Sequence, residues 1–422
     1  SDVTPNQGKM KLFKEFIITR EVFLNLLIML MWGHLLLSYF RGFIGMVPGI
    51  GNYQMEAQVV LVVCIIVAAL PSVMNRMAVI DWLFLASCLC IYILNLGIFH
   101  KNYDFLIEKM FSTLCIVIPY FLMGRLLDID KYLKPMLFIS TLCIAISAFY
   151  FLIYMRDPAK MAERYAGEYY MHQSYRLLPH VMLLFWQTIK KFRLWKFTFS
   201  VLGMFLIIAY GTRGPLACLG VFCIIYFFFY ANFRFALWIK GGIIGTVALL
   251  SVFTQQILLF LQETLSSVNM STRIIDRMLT GGLTHSTGRD YIKVKLYDIL
   301  ETTDSFWGFG LYSCEHFTWH YPHDYILDFF YTFGYTIGGL LMLIVAYIIC
   351  KAHIVSNHRI EKEFILLLTC ATVLKMFFSS TFIQEEFYFA LIGFCTSILI
   401  RHHYNKQDVC PLKCQAKNTL TI

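Results

Sequence analysis

The sequence predicts an all-α polytopic membrane protein of about twelve transmembrane helices, with a large outer loop of amphipathic helices between the ninth and the tenth. Three observations carry this expectation. Of 422 residues, 59% are hydrophobic and only 14% charged, and the mean hydropathy is +0.65, outside the range of soluble globular domains. Apolar stretches close to the ~20 residues that cross the hydrocarbon recur along almost the whole chain, which leaves no room for a separate soluble domain. Lys and Arg fall in short clusters between these stretches rather than on one basic face, so the net charge of +9 reflects topology. The partner this composition implies is the lipid bilayer, and nucleic acid is excluded.

In order, the apolar runs fall at roughly 21–39, 57–74, 77–98, 110–127, 134–155, 176–190, 196–212, 214–231, 236–262, 323–350, 363–383 and 386–400. The first is a full span with no small-residue cleavage site after it, so no cleavable signal peptide is expected. Pro179 and His180 interrupt the sixth, and only "GTRGP" separates the seventh from the eighth. Basic residues set the orientation. Lys9 to Arg20, Arg76, Arg125 to Lys134, "KKFRLWK" at 190–196, Arg234, Lys351 to Lys362 and Arg401 mark one side as cytoplasmic, whereas the short loops opposite carry little more than Arg41, Lys101 and Lys109. Both termini are therefore expected in the cytoplasm, with residues 1–422 forming one membrane domain.

Two outer segments are long, about 156–175 and 263–322. Within the second, Tyr291, Val294, Tyr297, Ile299 and Leu300 recur at near-helical spacing, followed by a Gly-rich turn at Trp307 to Gly310. That pattern predicts amphipathic helices lying on the outer membrane surface. Most of the thirteen cysteines sit inside apolar runs and read as small hydrophobes. Cys410 and Cys414 are too few for a zinc site, and no disulfide framework is expected.

Several polar residues stand where ligand chemistry is plausible. Arg213, in "IAYGTRGPLACLG", lies between flanking glycines that permit close approach, at a helix start where free amides attract anions; the plain alternative is an arginine snorkelling to the interface. Arg289 follows Gly288 at a predicted helix start, and Arg273 and Arg277 share a face at a spacing of four. These arginines suit a diphosphate or lipid headgroups equally. His323 and Asp324 follow Pro322 at the threshold of the tenth run, with Tyr325 next to them. A histidine there can move a proton near neutral pH, or the pair simply caps the helix. Lys375, a dozen residues into its run, is an intramembrane charge and so a candidate for a ligand path, and Glu385 and Glu386 follow in a short outer turn, where either could pair with an arginine or act as a base. His316, His320 and His323 lack the accompanying ligands of a metal site, and no metal or cofactor is expected.

Read together, "GTRGPL" between two spans, "STGRDYI" in a long outer loop, "FWGFGLYS" and then "YPHDYILDFFYTFGYTIGGLL" resemble the O-antigen polymerase and O-antigen ligase family of membrane glycosyltransferases. The likeness covers about 130 residues, 211 to 340. It departs at Asp324, where the family commonly has Asn. The resemblance implies a bacterial inner-membrane protein with its active site on the outer face. It would transfer a glycan from a polyprenyl diphosphate to a sugar hydroxyl, without metal or nucleotide sugar and with inversion at the anomeric carbon. It further implies that Arg213 and Arg289 hold the diphosphate and that His323 orients or deprotonates the acceptor. Asp324, Tyr325, Arg273, Arg277 and Lys375 complete the substrate-binding set. A polymerase would extend a lipid-linked repeat unit beside a chain-length regulator and a flippase. A ligase would pass the finished glycan to a lipid A core. The different-class alternative is a lipid-glycan transporter, although the paired broken helices common in transporters are not evident in the sequence.

Overall fold

The computed structural model describes residues 21–44, 49, 53–155, 168–210, 214–230, 254–267, 279, 289–303, 306–318 and 320–418. Among them every regular element is helical. In chain order these are α1 (Glu21–Trp32), α2 (His34–Ile44), α3 (Gln54–Met74), α4 (Val79–Ile98), α5 (Tyr103–Leu126), α6 (Ile129–Met155), α7 (Glu168–Lys190) and α8 (Leu194–Ala209). They continue with α9 (Gly214–Ile225), α10 (Thr254–Ser267), α11 (Arg289–Thr302), α12 (Ser313–Thr318), α13 (Tyr325–Val355), α14 (Arg359–Ala371), α15 (Val373–Met376) and α16 (Glu386–Asn418).

Four of these, α3, α4, α6 and α13, contain stretches long and apolar enough to span a bilayer. The number reaches six if Glu21–Trp32 with His34–Ile44, and His100–Met110 with Thr113–Leu126, each form one bent span. The described residues thus display four to six candidate spans rather than twelve. The eleventh run divides into α14 and the four-residue α15, α8 and α9 are short, and most of the ninth run, 236–262, lies outside the described residues. Pro179 does not break its run, since α7 passes through it, and His180 is buried with Nδ1 3.1 Å from Ser140 Oγ.

The core gathers large side chains from distant runs: Trp32, Phe121, Trp186, Phe364 and Phe394 are all buried. Helices α5 and α16 pack closely, and glycine permits it. A Cβ on Gly124 would lie 2.8 Å from Phe394 N, and one on Gly393 would lie 3.0 Å from Arg125 N, the small-residue contact typical of membrane helix pairs. Away from the candidate site, buried carboxylates on α4 and α14 pair with cations from α5, α7 and α14. Arg125 Nε meets Asp81 Oδ1 at 2.7 Å, and Glu363 accepts from Lys190 at 2.6 Å and from Arg359 at 2.9 Å.

Helix α13 is broken at Gly334 (φ 77°, ψ 167°). A break of this kind frees carbonyls that must find other donors away from water. The Gly-rich turn supplies them: Phe309 N–H donates to Tyr331 O at 2.8 Å, and Gly310 N–H to Thr332 O at 3.0 Å. Gly308 makes the approach possible, because a Cβ there would lie 2.6 Å from Thr332 O and 2.7 Å from Phe333 N. Two asparagines fasten the far side. Asn102 Nδ2 donates to Phe309 O, and Asn95 Oδ1 accepts from Leu311 N, each at 2.7 Å.

Helix α11 covers the stretch whose spacing predicts a helix. Its buried face is Ile292, Leu296 and Leu300, packed with Leu327 and Tyr331 of α13, while Tyr291, Val294 and Tyr297 are exposed. The i, i+4, i+8 stripe packs on protein, and the aromatic residues point away.

Candidate functional site

Side chains from five parts of the chain surround a cavity of about 290 Å3. Lys109 and Thr113 come from α5, His172, Tyr175 and Arg176 from α7, and Tyr312 and Tyr321 from the segments before α13. Lys375 comes from the short helix α15, Ser379, Ser380, Gln384 and Glu385 from the turn into α16, and Glu386 is the first residue of α16. The turn is held from outside: Asp328 Oδ2 accepts from Thr381 Oγ1 at 2.6 Å and from Phe382 N at 3.0 Å. Asp328 lies on the first half of α13, so the break at Gly334 and the cavity floor belong to one structural unit.

Among the described residues, three non-glycine residues have positive φ: Tyr312 (61°), His323 (52°) and Ser380 (92°). Such conformations persist only where surrounding structure imposes them, and they concentrate at functional sites. Here two of the three line the cavity, and the third, His323, packs its ring 4.2 Å from that of the cavity residue Tyr321.

The lining mixes charge with aromatic surface. Lys375 Nζ pairs with Glu385 Oε2 at 2.5 Å and lies 5.5 Å from the Tyr175 ring centroid. Lys109 stands 5.2 Å from the centroid of Tyr312, a cation over an aromatic face. Arg176 donates to Ser38 Oγ at 3.1 Å, and Glu386 Oε1 lies 3.5 Å from His34 Nε2. Burial pushes the Glu385 carboxyl above the usual carboxylate range, against the pull of Lys375. Beyond the cavity wall, burial also raises Glu315, with Lys109 acting the other way. A pocket that combines cations, carboxylates, hydroxyls and tyrosine rings can bind a polyhydroxylated or anionic ligand.

Of the residues singled out in the sequence, Lys375, Glu385 and Glu386 line this cavity. His323 lies behind Tyr321, half-buried. Asp324 caps α13: Oδ1 accepts from Ile326 N at 3.1 Å and Leu327 N at 3.3 Å, while Oδ2 pairs with Lys293 at 2.7 Å. Tyr325 is in the core, its hydroxyl 2.9 Å from that of Tyr388. Arg289 opens α11, its side chain outside the described residues, and Arg213, Arg273 and Arg277 lie wholly outside them. Among the described residues no group of three or more His, Cys, Asp or Glu is placed to hold a metal. Sequence reasoning missed Arg176 and His34 as site residues, although each is an ionisable residue at the edge of or inside an apolar run, the signal that singled out Lys375.

No protein-family model, curated protein or solved structure matches this chain.

Proposed function

We propose that this protein is a membrane glycosyltransferase of the polysaccharide-polymerase type, acting on the outer face of a bacterial inner membrane. In this reading a glycan linked to a polyprenyl diphosphate is transferred to a hydroxyl of a second lipid-linked repeat unit. The observation that carries it is a cavity lined by cations, carboxylates and tyrosines, with two strained residues, Tyr312 and Ser380, in its wall and a third, His323, packed behind Tyr321. That cavity adjoins the "PHD" threshold of the resemblance. Tyrosine rings offer stacking surfaces for a sugar, and charged side chains bind its hydroxyls. In the same reading Arg213 and Arg289 stabilise the charge that develops on the departing diphosphate, Arg273 and Arg277 hold the same group, and His323 supports the acceptor through Tyr321. A chain-length regulator and a flippase are the expected partners.

The test incubates purified protein in detergent with a lipid-diphosphate-linked repeat unit, without metal or nucleotide, and resolves glycan length on a gel. A ladder with wild type that is lost in Arg289→Ala and His323→Ala is the expected result. Glycan transfer to an added lipid A core without a ladder would make the protein a ligase. Neither product would turn attention to transport.

A further inference from the structure

The cavity has two adjacent acidic residues with different surroundings. Glu385 is 1% exposed and committed to Lys375 at 2.5 Å. The Glu386 side chain is 15% exposed and faces His34 Nε2 at 3.5 Å. Its other charged or titratable neighbours are Arg176 from α7, Lys375 from α15 and Glu385, with Tyr120 from α5. Lys109 and His172 line the same cavity. His323, by contrast, is not part of the lining.

The cavity is also small. About 290 Å3 falls at the lower edge of the ~300–1,000 Å3 typical of ligand sites, enough for a sugar ring and too little for a long glycan. A ring placed there, against Tyr175, Tyr312 and Tyr321, would present a hydroxyl to the partly exposed carboxylate.

We propose that Glu386, oriented by His34, is the base that accepts the proton of the acceptor hydroxyl. This rests on the glycosyl-transfer reading above. The acceptor O–H bond breaks and its proton passes to a Glu386 oxygen as the acceptor oxygen bonds the anomeric carbon. The bond from that carbon to the diphosphate oxygen breaks, and its electron pair leaves on the lipid diphosphate. Glu386 then releases the proton through the cavity mouth, which restores the carboxylate. His323 is a positioning residue in this scheme, acting through Tyr321.

The experiment measures initial ladder formation against pH for wild type, Glu386→Gln, Glu386→Asp and Glu386→Ala, each with its thermal unfolding midpoint in detergent. Wild-type rate is expected to fall about tenfold per pH unit on the acid limb. Glu386→Gln should be about 10²–10⁴-fold slower with a flat acid limb and an unchanged midpoint, and Glu386→Asp should keep a pH-dependent fraction of the rate. Added formate should restore part of the activity of Glu386→Ala, a rescue that a structural role would not give. A Glu386→Gln rate within threefold of wild type, with the wild-type pH profile, would overturn the assignment while leaving the transferase reading intact. Absence of rescue together with a collapsed midpoint in all three variants would overturn it in favour of a structural role. If wild type makes neither ladder nor ligated product, the transferase reading itself fails and takes this assignment with it.

Discussion

Lys375 Nζ lies 2.5 Å from Glu385 Oε2, with both residues almost wholly buried at 8% and 1% exposure. The charges come from a four-residue helix and from a turn, so neither position is fixed by a long element. Removing one member of a buried pair strands the other, at a cost of about 3–5 kcal/mol, whereas replacing both by apolar groups is often neutral. Lys375→Met should therefore lower the thermal midpoint in detergent sharply, and Lys375→Met/Glu385→Leu should recover most of the loss. A double variant no better than the single would contradict this account.

Gly308 tests the splint across the break in α13. A methyl there would meet Thr332 O at 2.6 Å, at a φ of +70°. Both strain and collision oppose it, so Gly308→Ala should cost more than 2 kcal/mol on the order-of-magnitude scale of backbone strain. Gly97, with nothing within 4 Å of its added Cβ, is the control: Gly97→Ala should unfold like wild type or slightly later, because Ala favours a helix by ~1 kcal/mol over Gly. Equal midpoints for the two variants would remove the splint from the explanation.

Asp328 is a buried acceptor for two donors from the cavity turn. Asp328→Ala leaves Thr381 and Phe382 N–H without a partner, at about 1–3 kcal/mol for each stranded group. Asp328→Asn keeps an acceptor oxygen and should retain most of the stability and any ligand affinity of the cavity. Ligand binding followed by a thermal shift distinguishes them, and indistinguishable variants would argue against a positioning role.

Glu315 gives a pH dependence with a defined sign. Burial holds its carboxyl above the usual range, with Lys109 opposing, so the folded state binds this proton more tightly than the unfolded chain. Its contribution to stability is then greatest below the ordinary carboxylate pKa of about 4.3 and declines as pH rises through the raised folded value. Glu315→Gln removes the titration. Its midpoint should exceed that of wild type at neutral pH, and the difference should vanish in acid. A difference that stays constant with pH would assign the effect to packing instead.

The sequence made much of this architecture legible because bilayer physics is local. Apolar length identifies α3, α4, α6 and α13 directly, and a charge a dozen residues into an apolar run marked Lys375. The "PHD" segment was visible as a helix threshold, and Asp324 does cap α13. What was hidden depends on tertiary contacts. Lys109 and Arg176 are far apart in the chain and read as scattered basic residues until α5 and α7 bring them to one cavity. The two-part form of α14 and α15 was masked by their shared apolar composition, since hydropathy averages over a break. Which side of α11 meets protein was hidden for a similar reason: the Ile292, Leu296 and Leu300 stripe packs on α13 while Tyr291, Val294 and Tyr297 are exposed, a choice that only tertiary contacts make.

The bonds from Phe309 and Gly310 to Tyr331 and Thr332 make part of a loop a chemical component of a distant helix. Segments 306–312 and 325–334 are therefore not interchangeable modules. A chimera that imported the loop alone would have to match a foreign backbone to two carbonyls at a fixed register, and one that imported the helix alone would orphan the loop's amides. Transplanting specificity into this scaffold means moving both segments as a matched set.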